Sequence, residues 1–141
     1  MPSGDNAAVP ELTVETERRT QLLDVTEQVA ELLADSDGSL ATLFVPHTTA
    51  GIVLQAAGEG ASAVATDVAG AFDRLVDEEW PWEHLQQGDR NPWSHVRAAL
   101  TASSVSVPLV EGRLALGEHQ AIFLAEFDGP RERTILVTVL R

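Results

Sequence analysis

The sequence predicts an α+β fold: a single domain at 11–141, with a mixed or antiparallel sheet and about three helices. Three observations predict it. Short stretches of alternating or continuous apolar residues occur near both ends of the chain, as strands do. Between them lie longer stretches with apolar residues at helical spacing, and a further helix start at Asn91-Pro92. The C-terminal strands are separated by tight turn signals, so they return as hairpins and leave no length for crossover helices. A chain of 141 residues, 44% apolar, suits one domain burying ~two-thirds of its unfolded surface.

Residues 1–10, rich in Gly, Ser, Asp, Asn and Pro, read as a disordered tail. Leu12, Val14 and Thr16 alternate with Thr13, Glu15 and Glu17, the pattern of a half-exposed strand. Asp24 and Glu27 form a capping pair, and Leu22, Val25, Val29, Leu32 and Leu33 make an amphipathic helical stripe ending at Asp35 to Gly38. Ser39 to Pro46 reads as a strand buried on both faces, and Gly51 to Gln55 as a second short strand. Val64, Val68, Ala71, Phe72, Leu75 and Val76 mark a long helix, followed by an unpatterned loop from Trp80 to Asp89. Asn91 caps a short helix from Pro92 to about Leu100. Val105 to Leu109 and Leu114 to Leu116 form a hairpin about Glu111-Gly112. Ala121 to Phe127 is a buried strand, Asp128-Gly129-Pro130 a turn, and Ile135 to Val139 the last strand.

Twenty-two acidic residues against nine basic ones leave a net charge of −13, and every basic residue is Arg. Without an Arg cluster, such a field repels phosphodiester backbones and anionic lipid, which argues against nucleic-acid and membrane partners. No apolar run approaches the ~18 residues of a membrane-spanning helix. The polar N-terminus lacks the hydrophobic core of a signal peptide, so a cytoplasmic location is expected. The surplus of acid fits a salt-rich cytoplasm, whereas codon bias alone accounts only for the missing Lys. With no Cys, imidazole and carboxylate are the remaining strong ligands and bases.

His47 stands where a strand stops, followed by Thr48 and Thr49, whose hydroxyls and amides suit an anionic group. The plain alternative is a strand-end imidazole above a threonine turn. His84 sits in the long loop beside two Trp, either functional or an ordinary surface imidazole. His95 lies one turn into the helix that Asn91 opens, where the helix dipole favours neutral imidazole; a partly buried helix residue is the alternative. Asn91 reads first as a helix cap, and Asp67, flanking the long helix's stripe, as a solvated carboxylate able to reach a site rim. Glu126 shares a strand face with Ile122 and Leu124, so its carboxylate needs a partner, with Arg131 and Arg133 available; a structural ion pair would satisfy it.

The strings Phe-Val-Pro-His-Thr-Thr-Ala-Gly (44–51), Asn-Pro-Trp-Ser-His-Val-Arg-Ala-Ala-Leu (91–100), Gly-Arg-Leu-Ala-Leu-Gly-Glu-His-Gln (112–120) and Glu-Phe-Asp-Gly-Pro-Arg-Glu-Arg (126–133) follow one another in order. Together, over about Leu12 to Leu140, they resemble the YjbQ-like family, also called secondary thiamine-phosphate synthase. The resemblance implies an α+β homotrimer with His-lined pockets. It carries over His47, Thr48, Thr49, Asp67, His84, Asn91, His95, Gln120, Glu126, Arg131 and Arg133 as site residues. His47, His84 and His95 would form the metal set, with Asp67 the fourth catalytic residue, and a divalent metal, zinc or magnesium, is the implied cofactor.

The implied activity joins a pyrimidine diphosphate to a thiazole phosphate, giving thiamine phosphate and diphosphate, with a phosphorylated small molecule as the partner. The rival expectations are a metal-dependent hydrolase at the same histidines and a non-catalytic trimeric binder of a metal or small anion. Departures bear on these. Gln55-Ala56 stands where relatives commonly carry Asn-Glu, so a carboxylate is lost. Thr101-Ala102 replaces Gly-Pro, and Glu118-His119 replaces Thr-Trp, leaving His119 as an added ligand or a loop imidazole.

Overall fold

The computed structural model describes residues 10–84 and 91–141. In chain order the elements are β1 (Glu11–Glu15), β2 (Gln21–Asp24), α1 (Thr26–Leu33), β3 (Leu40–Phe44), β4 (Ala50–Ala56), α2 (Ala61–Leu75), α3 (Pro92–Ala99), β5 (Ser104–Val110), β6 (Arg113–Leu114), β7 (Gln120–Glu126) and β8 (Glu132–Leu140). They form one five-stranded sheet, ordered β1-β8-β3-β5-β6, and one three-stranded sheet, ordered β2-β7-β4. Every strand pairing among the described residues is antiparallel. The α+β class and the helix count are as expected, while the single sheet becomes two.

Strand alternation sorts the side chains into two cores. Val14, Ala41, Leu43, Val107, Ile135 and Val137 of the larger sheet meet Ile52, Ile122 and Leu124 of the smaller one, with Val25 at the cap of α1 and Val29 and Leu33 within it closing the same cluster. On the other face of β7, Phe123, Ala125 and Phe127 pack with Val68 and Phe72 of α2 and Ala98 of α3. The Phe72 and Phe127 rings meet edge to face at 5.1 Å. β7 is therefore the strand buried on both sides, consistent with its unbroken apolar run.

Several sequence expectations change. Leu22 belongs to β2 and packs in the second core, although its spacing fits the α1 stripe. Asp24 does not cap α1: its carboxylate accepts from Thr26 N–H (2.9 Å) and Thr26 Oγ1 (2.7 Å), and Val25 holds the cap position. β3 is buried on one face only, with Ala41 and Leu43 inside and Phe44 43% exposed, because its sheet forms the outer layer. Leu75 of the long helix is exposed, since α2 lies over the smaller sheet with only a half-buried stripe. Leu116 lies beyond the two-residue β6. The Glu111-Gly112 turn has positive φ at both residues (53° and 75°), as a two-residue hairpin requires. The expected tail, apart from Pro10, and loop positions 85–89 lie outside the described residues.

Candidate functional site

Glu126 ends β7 between the starts of β2 and β4, and Thr16 just past β1 and Arg133 near the start of β8 reach its carboxylate. Because Glu126 alternates with Ile122 and Leu124, its side chain enters the core between the sheets, where it is wholly buried. Arg133 enters the same core from β8 by the same alternation with Ile135 and Val137. Its Nε donates to both Glu126 oxygens (2.9 and 3.1 Å) and its Nη2 to Oε2. The remaining acceptor capacity is filled by Thr16 Oγ1 (2.7 Å) and by the N–H groups of Phe127 (3.0 Å) and Asp128 (3.1 Å). Arg133 Nη2 also donates to Thr49 Oγ1 (2.8 Å). The choice between Arg131 and Arg133 thus falls to Arg133, and this is the structural ion pair. Glu126, Arg133 and Thr49 form a hydrogen-bonded frame that is almost wholly buried.

That frame positions the 128–131 turn above it. Thr16 Oγ1 accepts from Arg131 N–H (2.9 Å), and Thr16 N–H donates to Arg131 O (2.8 Å). Gly129 sits so close to the chain just after β1 that a Cβ there would lie 2.2 Å from Arg18 O and 2.7 Å from Thr16 Oγ1. From this turn Asp128 Oδ2 accepts from Asn91 Nδ2 and from Arg131 Nη2, both at 2.7 Å, while Arg131 Nε donates to Asp128 O (2.8 Å). Asn91 keeps the cap position of α3, but its side chain makes no cap bond and reaches across to Asp128 instead. Ser94 Oγ donates to Phe127 O (2.6 Å), pinning α3 to the end of β7. Arg97 fixes α3's other end through Val76 O (2.7 Å) and Asp73 (3.0 Å).

His47 lies past β3, where its Nε2 accepts from Thr134 N–H of β8 (2.9 Å). An accepting nitrogen carries no proton, so the neutral ring is protonated on Nδ1. Burial, then the charge of Arg133, hold its pKa below the ordinary imidazole value, against the opposing pull of Glu126. His84 and His95 come together elsewhere, edge to face with ring centres 5.3 Å apart. They border a cleft of about 540 Å³ whose apolar wall is Pro81, Trp82, Pro92 and Val96, with Glu83 beside them. Trp82 is held by its indole N–H on the carbonyls of Asp77 and Glu78 (both 3.2 Å) and stacks on Trp80.

The other expected site residues are not gathered here. Asp67 is exposed on α2 and is not among the residues bordering the cleft. Thr48 is exposed, and Gln120 Oε1 accepts from Gly117 N–H (2.8 Å), closing the loop before β7. His119 is exposed, 3.8 Å from Glu118. Among the described residues no group of three or more His, Asp or Glu could hold a metal ion together. The expected three-histidine set is not formed within one chain, because His47 is tied to β8 while His84 and His95 sit beside α3. Sequence reasoning missed Thr16, Ser94, Arg97 and Asp128; the signal for Asp128 was its place in the Glu-Phe-Asp-Gly-Pro-Arg string.

A sequence model of the family described as UPF0047 protein YjbQ-like matches residues 10–141. A UPF0047 protein of Archaeoglobus fulgidus is 37% identical over 130 residues, spanning 92% of this chain and 99% of that one. The crystal structure of conserved hypothetical protein TT1486 from Thermus thermophilus superposes with a TM-score of 0.83 at 35% identity, covering 94% of this chain and 100% of the other. Hypothetical protein APE1520 from Aeropyrum pernix K1 does so with 0.83 at 38%, covering 93% and 96%.

Proposed function

This chain belongs to the UPF0047 YjbQ-like family, and on that premise we propose that it is a transferase of the thiamine-phosphate synthase type acting at the His84–His95 cleft. The observation that carries the reading is the imidazole pair itself, held at the mouth of a largely apolar cleft beside the helix that Asn91 opens. In the reaction the thiazole nitrogen forms a bond to the pyrimidine methylene carbon. The bond from that carbon to the diphosphate oxygen breaks, and its electron pair leaves with the diphosphate. Charge grows on the departing oxygen, where an imidazole N–H supplies a stabilising donor; the half-exposed Arg131, joined through Asp128 to Asn91 at the start of the same helix, is the cation assigned to a phosphate of the substrate reaching beyond the cleft.

The family resemblance also suggests a divalent ion, zinc or magnesium. The pair supplies two imidazoles where a catalytic zinc takes ~3 protein ligands, so the described residues of one chain do not fit zinc. A neighbouring subunit of the expected homotrimer is the natural source of a further donor. Self-association is supported by an uncharged patch on the outer face of the larger sheet, where Leu40, Pro108 and Leu140 lie in register beside Thr42 and Phe44, bordered on the β1 side by Glu11, Glu15 and Glu132. Light scattering on the purified protein should give three times the chain mass, and Phe44→Glu should reduce it.

Purified protein incubated with the pyrimidine diphosphate, the thiazole phosphate and Mg²⁺ should yield thiamine phosphate and diphosphate in equal amounts. His84→Ala and His95→Ala should remove the product. No thiamine phosphate from the wild type above the level of these variants would overturn the reading.

A further inference from the structure

We infer that Asp128 is a positioning residue: it aims the Arg131 guanidinium at the anionic group of the ligand. The inference rests on the phosphorylated ligand proposed above and deepens it.

A carboxylate only accepts hydrogen bonds, and one Asp128 oxygen takes two donors, Asn91 Nδ2 and Arg131 Nη2, at 2.7 Å each. Its own carbonyl takes Arg131 Nε at 2.8 Å. Arg131 is thereby held along one edge by two bonds, and its other edge faces out, the side chain being half exposed. The backbone on either side cannot drift. Asp128 N–H is bonded to the buried Glu126, and Arg131 is clasped through both N–H and C=O by Thr16. A cation that would otherwise sample many rotamers is thus pre-organised, which is where binding gains when ordering has already occurred.

A second observation points to a ligand at the same place. Asp128 dictates which way the Asn91 amide faces, since only its NH₂ can bond a carboxylate. Asn91 Oδ1 is then left buried with no partner among the described residues. An orphaned buried acceptor beside a held cation suits a ligand bringing both a donor and an anion. His95 lies one helical turn further along α3, at the cleft.

Electrostatics alone makes the opposite prediction, which gives the test its edge. Asp128→Asn removes a negative charge next to the anion site, so a purely coulombic account has it binding anions more tightly. Positioning has it binding them more weakly. Inorganic pyrophosphate is titrated calorimetrically into the wild type, Asp128→Asn, Arg131→Gln, the double variant and Arg131→Lys at one salt concentration, with melting temperature recorded for each. The expected result is about tenfold weaker binding in Asp128→Asn and no further loss when it is added to Arg131→Gln. Arg131→Lys, an exposed change that keeps the charge but not the two-point grip, should fall to the Asp128→Asn level. Unchanged or tighter binding in Asp128→Asn, an equal loss in both Arg131 backgrounds, or wild-type binding by Arg131→Lys overturns the inference. A wild type that binds no pyrophosphate overturns it together with the phosphorylated-ligand reading. Positioned binding without thiamine phosphate formation overturns only the proposed reaction.

Discussion

The guanidinium of Arg133 grips the carboxylate of Glu126 inside a core otherwise built from Ile122, Leu124, Ile135 and Val137. Both side chains are almost wholly out of solvent, and every neighbour that hydrogen-bonds the carboxylate is a donor. Breaking a buried pair by removing one partner leaves an uncompensated charge and costs about 3–5 kcal/mol. Glu126→Ala and Arg133→Ala should each lower unfolding free energy in urea by that order. The double change Glu126→Leu with Arg133→Met should cost less than either single one. A double variant as damaged as the sum of the singles would contradict this account.

His47 should make stability depend on pH. Its folded pKa lies below the ordinary value of ~6.5, mainly through burial and then through Arg133. The unfolded chain therefore takes up a proton on this imidazole before the folded protein does. Its contribution is fully present above that ordinary value and is lost as pH falls from there toward the folded pKa. Protonation also removes the acceptor that Thr134 N–H uses. The stability difference between wild type and His47→Gln, measured by urea unfolding from about pH 7.5 to 5, should shift against the wild type on acidification. A difference independent of pH would rule the mechanism out.

Gly129→Ala should destabilise the protein, because the added Cβ would overlap Arg18 O and Thr16 Oγ1. Overpacking of this kind costs about 1–3 kcal/mol or more when the neighbour is backbone. The same variant should weaken pyrophosphate binding, since the turn it distorts carries Asp128 and Arg131. Calorimetric melting and the pyrophosphate titration check both halves.

Among the histidines, His84→Ala and His95→Ala should each lower turnover by about 10²–10⁴-fold, the usual span for a lost acid–base group. His119→Ala should leave it unchanged, since that ring is 84% exposed and is not among the residues bordering the cleft. Steady-state rates of thiamine phosphate formation decide it. An effect at His119 matching that at His95 would move the site.

Thermal stability should rise with potassium chloride. A net charge of −13 repels itself across the surface, and raising salt from about 0.1 to 1 M shortens the screening length from ~10 to ~3 Å. Melting curves across that range should climb; a flat or falling series would remove salt adaptation as the reason for the acid surplus.

Much of the fold is legible because alternation and helical spacing record which side of an element faces the core. The β7 run, the Glu111-Gly112 turn and the α3 start at Asn91-Pro92 all take the form their residues indicate. Leu22 misleads because a residue three before Val25 fits a helical stripe as well as it fits a strand. Within the site, the need of Glu126 for a cation follows from its place between apolar neighbours. Which arginine meets it does not, since Arg131 and Arg133 share the turn and only the inward alternation of β8 separates them.

By itself the sequence determined the α+β class, the Cys-free and Lys-free chemistry, the inward faces of β1, β7 and β8, and the family. These are local or compositional properties, encoded by residues near one another along the chain. The tertiary structure decided that Arg133 closes the Glu126 frame and that Arg131 stands held by Asp128. It also decided that His84 and His95 pair while His47 is tied to Thr134. In each, alternation and spacing give at most the face a side chain takes, not the partner it meets there. The partners depend on how the two sheets and α3 close against one another, where the burial of a single carboxylate selects its partner.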